Sequence, residues 1–462
     1  MKNKALDNLD KLNDLAQDLS LEVYLVGGAI RDFILDRKLK DFDFIVAGAS
    51  KDFALKFADL TEGSFVTLDQ KRGMYRVVIK EVDYDFTAYN GELKAELERR
   101  DFTINALALE LANYKQLFKV GEKEVIIDYF NGINDLNSGI IKDITPQACK
   151  DDPVRILRAA RFKANFKFFI ESKTLSNMKK YFKLLEEVAE ERIKDELIKF
   201  FAADHLAEEI EFFESELALF SFFIPEVKQM KKLGKSKHHQ YNVWQHSLRA
   251  ISVLEDVLAE HKWANKIAGW KLPALKLALL FHDLGKVFTI KKEDGAVHFY
   301  GHEQKGAKYI DEFLRELCFS NQMRRYIVKL IRNHMRPLYL FNSRADLTRR
   351  GRYRFYREIE SEIYDLLIFS LADIISTRKN TRNEAEIQKY QSFLDSLVAD
   401  YQEFNQQEDK IAVDGNDLIR ELDLTEGPEI GELLAKIKEA QALGEIIGYH
   451  AAIEYAKQLL KK

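Results

Sequence analysis

Cysteine, proline and glycine are all scarce in this 462-residue sequence, which holds 2, 6 and 21 of them. So few prolines and glycines argue against a turn-rich all-β fold and favour helix. Cys149 and Cys318 stand far apart and make no metal-type pair, and their small number fits a reducing cytoplasm. Long apolar runs are absent as well. LLIFSLADII (366–375) is short and carries Asp373, so it reads as a buried helix and not a membrane span. The opening MKNKALDNLDKLNDLAQDLS is amphipathic and lacks the apolar stretch of a signal peptide. Neither sign of charge dominates: 71 Lys and Arg face 75 Asp and Glu, for a formal net charge of −4. Any nucleic-acid contact must therefore come from local basic patches. The sequence shows no short-period repeat and no low-complexity linker.

What the sequence does hold is 46% hydrophobic and 32% charged residues, the balance of an ordinary well-buried protein. At this length a single core is too little, and two to four domains are expected. Early on, EVYLV (22–26), DFDFIVA (41–47), YRVVIK (75–80), YDFTAY (84–89) and LALEL (107–111) read as strands. After Asp152 the apolar residues recur at three- and four-residue intervals almost to the end, the mark of helices. MKKLGKSKHHQ (230–240) and EFNQQEDK (403–410) interrupt that helical half. The expected division is an α+β head (1–145), a helical neck (146–230), a second helical domain (231–400) and a helical tail (401–462).

Within the head, DFDFIVAG (41–48) poses a physical problem. Alternation in a strand puts Asp41 and Asp43 on one face and Phe42 and Phe44 on the other. Two carboxylates about 7 Å apart on one face repel each other unless a cation lies between them. Just upstream, YLVGGAIRDFILD (24–36) sets Gly27 and Gly28 between a strand and a helix. There, backbone N–H groups approach a phosphate closely and the helix dipole favours negative charge; Arg31 is within reach of the same anion. A glycine turn alone merely joins strand to helix. Combined with the acid pair, it makes a site for a metal–nucleoside triphosphate.

LVGGAIRDFILDRKLKDFDFIVAG (25–48) resembles the opening motif of the class II transfer-RNA nucleotidyltransferase and bacterial poly(A) polymerase family, whose head is similar to the DNA polymerase β nucleotidyltransferase fold. RRDFTINALAL (99–109), DYFNGINDL (128–136), DDPVRILRAARF (151–162) and ERIKDELIK (191–199) continue the resemblance in the family's order. It implies that Asp41 and Asp43 hold Mg²⁺, with Asp85 as the third catalytic carboxylate and Asp83, on the same strand face, as its rival. It implies that Arg100 and Asp101 contact ribose and that Asp152 and Arg155 read the incoming base. By local pattern Asp152 is also an N-cap and Pro153 a first helical residue. An Asp acceptor beside an Arg donor matches cytosine and adenine; uracil and guanine would leave polar groups unpaired, at roughly 1–3 kcal/mol each. Arg155, Arg158 and Arg161 recur every three residues as a basic ridge beside the triphosphate position, against the alternative of a solvated stripe. Members that add C, C and A carry a flexible loop between the third-acid strand and the RRD motif. Here only residues 86–98 intervene, and enzymes that resemble this one in that respect add the two cytidines and leave adenosine to a separate A-adding enzyme.

The second half carries VWQHSL (243–248), LLFHDLGKV (279–287) and SLADIIS (370–376), which place His246, His282, Asp283 and Asp373 on apolar helical stretches. A buried Asp needs a cation or several donors. The order H…HD…D resembles the HD metal-dependent phosphohydrolase superfamily. The resemblance implies a divalent metal on these four residues, with His302 and His334 enlarging the site to two ions, and attack of metal-bound water on a phosphoester. A retained scaffold without activity is the alternative. KKLGKSKHH (231–239) and RRGRYRFYR (349–357) are the densest basic stretches and candidate RNA contacts, weighed against ordinary solvated faces. The segment 413–437 resembles the family's terminal region and is expected along the tRNA or against the HD domain.

Together these readings predict an α+β protein: a polymerase β-like head, an all-α neck, an HD domain and a helical tail. The expected activity is cytoplasmic, Mg-dependent transfer of CMP, with AMP left open, from CTP or ATP to tRNA 3′ ends, with pyrophosphate released and no membrane involved. Poly(A) polymerase activity on RNA 3′ ends and an HD phosphohydrolase with a nucleotide-sensing head are the alternatives.

Overall fold

The computed structural model describes the chain except residues 1, 40, 235–240, 268, 294–295, 378–383, 409–412 and 462, and except the side chains of 2–7, 296 and 406–408. The chain divides into two compact units, Met1–Phe200 and Phe201–Lys462. The fold is α+β, as the strand and helix patterns predict.

In the first unit seven strands form one mixed sheet: β1 (Val23–Val26), β2 (Asp41–Ala47), β3 (Ser64–Asp69), β4 (Met74–Ile79), β5 (Val82–Tyr89), β6 (Leu107–Glu110) and β7 (Ile127–Asp128). Their spatial order is β3-β4-β5-β2-β1-β6-β7. β2 and β5 run parallel, Asp41 opposite Asp83 and Asp43 opposite Asp85, while the other pairings are antiparallel. The alternation in DFDF divides the faces as expected. Phe42 and Phe44 are buried and stack on Tyr84 and Phe86 of β5, with ring centroids 5.3 Å apart in each pair. Phe53 and Phe57, from the helix Ser50–Thr61, meet these rings edge-on. Each buried ring contributes about 2 kcal/mol of apolar transfer energy, which fixes the register and commits the opposite face to its acids.

Two local expectations shift. β3 has no counterpart in the predicted strands. It is an edge strand with Val66 and Leu68 exposed, so no hidden face left an alternating pattern to read. The helix after DDP begins at Arg155 with Val154 as its cap residue, rather than at Asp152. Asp152 is extended, at φ −147° and ψ 96°, and accepts a 2.7 Å bond from Arg192 Nη2 in place of capping the helix. The carboxylate thus pairs with a guanidinium, an ion–ion contact, in place of the backbone N–H groups of the helix start.

Helices make up the second unit, apart from the hairpin Lys291–Glu293/Ala296–His298. Asn242 opens the helix Val243–Glu260 with a reciprocal cap: its side chain accepts from Gln245 N at 2.8 Å, and Gln245 Oε1 accepts from Asn242 N at 3.3 Å. The helices Gly415–Leu422, Pro428–Ala442 and Gly448–Leu460 enclose a small core of their own around Leu418, Ile437 and Ala452. Among the described residues no helix is long and apolar enough to cross a membrane.

Candidate functional site

The parallel register of β2 and β5 gathers Asp41, Asp43, Asp83 and Asp85 on one face of the sheet. Arg76 of β4, opposite Asp85, donates to both of its carboxylate oxygens at 2.7 Å and lies 2.7 Å from Asp83 Oδ2. One guanidinium thus offsets the two acids of β5. On β2, burial raises the pKa of Asp43; Arg100 opposes that rise, and the charges of Asp85 and Asp41 add to it. Hard carboxylate oxygens whose charge is opposed by burial and mutual repulsion fit a divalent cation that would relieve both. Sequence reasoning missed Arg76. Its signal was there in YRVVIK, a basic residue in a strand that neighbours the acids.

Gly27 ends β1 in the left-handed region, at φ 76°, with its N–H donating to Leu107 O at 3.0 Å. The guanidinium of Arg100 rests against it so closely that a Cβ at position 27 would collide with Nη1. Arg100 Nε is buried and has no hydrogen-bond partner among the described residues. Gly28 begins the short helix Gly28–Ile34. Arg31 lies beneath the turn and not above it: it is 8% exposed, sits over the rings of Phe162 and Phe166 at 5.2 and 4.8 Å, and donates to Asp32 and Asn105. Its role in this arrangement is to tie the glycine turn to the helix Arg155–Phe166.

Asp101 is buried and accepts from Phe102 N (2.8 Å), Asn105 Nδ2 (2.8 Å) and Arg158 Nε (2.6 Å). Burial alone would raise its pKa, but the Arg158 charge and these donors hold it at about 2. Arg161 donates to Glu196 at 2.6 Å, and Arg158 lies 4.0 Å from the same carboxylate. Arg158 and Arg161 are therefore members of a partly buried ion-pair network, not a free ridge. Arg155 turns back to donate to the carbonyls of Ala148, at 3.1 Å, and of Arg99. Asp152 keeps one oxygen on Arg192, while its Oδ1 is buried without a hydrogen-bond partner among the described residues. An orphaned carboxylate oxygen of this kind awaits a donor. Arg192 and Glu196 belong to ERIKDELIK, a stretch in which the sequence alone assigned no roles.

In the second unit His246, His282, Asp283 and Asp373 converge, and His302 and His334 join them. His246 Nε2 lies 2.9 Å from Asp373 Oδ1 and 3.6 Å from Asp283 Oδ2, and His282 Nε2 lies 3.5 Å from each of the two carboxylates. On the other side of Asp283, His302 Nε2 is 3.3 Å and His334 Nε2 3.9 Å from Oδ1. Each ring is oriented by its second nitrogen: the Nδ1 atoms of His282, His302 and His334 bond the carbonyls of Leu279, Phe299 and Ile331 at 2.8, 2.9 and 2.7 Å, and that of His246 meets Ser376 Oγ at 3.1 Å. That leaves the Nε2 lone pairs facing inward, the tautomer that ligates metals. His282 Nε2 is buried without a hydrogen-bond partner among the described residues. Burial, with His282 alongside, pushes the pKa of His334 down to about 3, while Lys286 and His282 hold Asp283 well below the usual carboxylate range despite its burial. Inward-facing imidazole nitrogens beside two carboxylates held well below their usual range form a donor set that fits a divalent metal. Gly285 makes the approach possible: a Cβ there would overlap the His302 carbonyl.

Comparison with known proteins bears on the whole chain. Family models match it in three places: "Poly A polymerase head domain" over residues 23–142, "Probable RNA and SrmB-binding site of polymerase A" over 167–231, and tRNA nucleotidyltransferase domain 2 over 296–456. The A-adding tRNA nucleotidyltransferase of Deinococcus radiodurans is 28% identical over 429 residues, 91% of this chain and 92% of that protein. The CC-adding tRNA nucleotidyltransferase of Thermus thermophilus is 28% identical over 436 residues, 92% of this chain and 91% of its own. The chain belongs to the class II tRNA nucleotidyltransferase and bacterial poly(A) polymerase family. The fold agrees: the structure titled "Thermotoga maritima CCA-adding enzyme complexed with tRNA_CCA" superposes at a TM-score of 0.58 with 21% identity, over 99% of this chain and 96% of that one.

In this family of metal-dependent nucleotidyltransferases, the link between the acid strand and the RRD motif is short in the present member. β5 ends at Tyr89 and the helix Leu93–Glu98 follows directly. Of the two basic stretches, residues 235–239 lie outside the described residues, and Lys231 bonds Glu214 at 2.6 Å. The stretch 349–357 forms the helix Arg349–Ile359, whose Tyr353, Phe355 and Tyr356 are buried. Its Arg350 lies 3.1 Å from Glu439 and 3.0 Å from Glu445, and Arg352 pairs with Asp400. Arg350 thus ties the helix Arg349–Ile359 to the tail, and Arg352 ties it to the helix Glu384–Glu408.

Proposed function

We propose that the chain adds nucleotides to the 3′ end of tRNA, transferring CMP from CTP and releasing pyrophosphate. The observation that carries this reading is the face shared by Asp41, Asp43, Asp83 and Asp85 beside the Gly27 turn. Asp41 and Asp43 would hold Mg²⁺, which supplies activation of the RNA 3′-hydroxyl and charge neutralisation at the leaving pyrophosphate. The chain's own residues do the rest. The turn at Gly27 and Gly28 receives the triphosphate, and Arg100, resting on that turn with an unpaired Nε, moves onto its oxygens. Asp101 holds Arg158 and the base-reading helix in register. Asp152, with one oxygen unpaired, accepts from the cytosine amine, and Arg155 swings from the Ala148 and Arg99 carbonyls to donate to the ring.

The short link between β5 and the helix Leu93–Glu98 favours addition of C alone, with a separate A-adding enzyme completing the end. Its division into head, neck, second helical domain and tail, and its cytoplasmic location, belong to the same proposal. Labelled CTP or ATP is incubated with tRNAs that end before the first C, before the second C and before A. Label from CTP should enter the first two acceptors and label from ATP none; ATP label in the third acceptor would overturn the CC-adding reading.

A second activity is favoured by the His/Asp cluster, whose inward Nε2 atoms, that of His282 without a hydrogen-bond partner among the described residues, suit a metal-dependent phosphohydrolase of HD type. Metal analysis of the purified protein should find a divalent ion that is lost in His282→Ala together with phosphodiester hydrolysis. Full metal content in that variant would overturn it.

A further inference from the structure

Two clefts in the second unit meet at Ser361. The larger, about 700 Å³, is walled by the helix Asn321–Asn333 and by Trp270 and Lys271. Its floor is a buried bond from the Tyr326 hydroxyl to Asp365 at 2.6 Å, with Lys271 Nζ donating to the same carboxylate at 3.2 Å. Trp270 stands edge-to-face with Tyr326, ring centroids 5.3 Å apart, yet it remains 36% exposed. Arg325 and Arg332 border the cleft, are exposed, and form no ion pair among the described residues. The acids on the rim are already engaged: Glu362 lies 3.0 Å from Lys329, and Glu358 pairs with Arg336. Lys329 is shared by Glu362 and Glu360, and Arg325 and Arg332 leave the cleft with an excess of positive charge.

The smaller pocket, about 220 Å³, is lined by Tyr353, Tyr356, Tyr401 and Phe404, with Asn405 and Glu360 at its border. Its rings interlock, Tyr356 with Tyr401 at 5.6 Å and with Phe404 at 5.4 Å. The Tyr356 hydroxyl is buried and has no hydrogen-bond partner among the described residues. A cleft with free cations and an exposed indole, next to an aromatic pocket of nucleobase size, is the combination that holds unpaired nucleic acid: cations follow the phosphates and rings stack the bases. Arg325 and Arg332 are two helical turns apart, about 10 Å. That is too far to grip one phosphate and suits successive phosphates of a strand better than a free nucleotide.

We propose that these adjoining clefts form one track for an unpaired segment of the RNA substrate, with phosphates on Arg325 and Arg332, one base against Trp270 and another in the tyrosine pocket. The inference rests on the tRNA reading above. It is tested with the full chain by measuring affinity for tRNA lacking its terminal CCA over a series of salt concentrations. Arg325→Gln/Arg332→Gln should bind on the order of tenfold more weakly and with a shallower salt slope. Tryptophan fluorescence quenched by tRNA in the wild type should lose most of that quenching in Trp270→Phe. Unchanged affinity and slope in the double variant, or unchanged quenching in Trp270→Phe, would overturn the track while leaving the tRNA reading intact if CMP addition persists. Weakened affinity for CTP with tRNA affinity intact would also overturn it, in favour of a nucleotide pocket. A wild-type protein that neither binds tRNA nor extends it would overturn both.

Discussion

Asp43 is held where burial and the charges of Asp85 and Asp41 all work against its ionisation. A residue kept under such cost for folding alone would improve stability when neutralised. Asp43→Asn should therefore unfold at the wild-type temperature or above it while nucleotide transfer falls by at least about 10³-fold, as thermal unfolding and single-turnover transfer would measure. Loss of stability with transfer retained would mark the residue as structural. Asp101 behaves in the opposite sense. Its pKa is depressed to about 2 from the ordinary carboxylate value of about 3.9, so its contribution is complete above the unfolded pKa and is lost as pH falls through the folded one. The stability difference between wild type and Asp101→Asn should be largest near neutral pH and narrow by about 2 kcal/mol between roughly pH 5 and pH 2. A pH-independent difference in denaturant titrations would contradict this assignment. In the sequence these acids carry different expected roles, but the opposite directions of their pKa shifts come from partners such as Arg158 and Asn105 that only the fold brings to Asp101.

Among the elements, the strands that carry chemistry were the legible ones. DFDFIVA and YDFTAY alternate because one face is buried under Phe53 and Phe57 and the other is not, and that contrast leaves a pattern. β3 was invisible because both its faces are largely exposed. The start of the helix Arg155–Phe166 was misplaced for a different reason: Asp152 has a cap residue's chemistry, but its partner is Arg192, forty residues on, and no local rule sees that far. The turn at Gly27 was legible, but the guanidinium packed on it was not. Gly27→Ala should cost about 1–3 kcal/mol for its left-handed backbone. Its larger effect should be on the KM for CTP, because the new methyl displaces Arg100, whose far end yields easily. Unaltered KM in steady-state kinetics would separate Arg100 from triphosphate binding.

At the scale of the molecule, the order of motifs along the chain was enough to identify the family and the α+β class, and the gathering of His246, the adjacent His282 and Asp283, and Asp373 was foreseen. What the sequence hid were the second layers: Arg76 across the acids of β5, Ser376 and three backbone carbonyls behind the imidazoles, and the pairing of Arg350 with Glu439 and Glu445 of the tail. Such partners are set by tertiary packing, and spacing along a chain does not encode them. The account as a whole depends on the two carboxylates of β2 acting in nucleotide transfer. The direct test is incorporation of labelled CMP into tRNA lacking its terminal CCA, wild type against Asp41→Asn, with tRNA affinity measured in parallel. Wild type should add label while Asp41→Asn adds none with tRNA affinity unchanged; transfer by Asp41→Asn at the wild-type rate would contradict it.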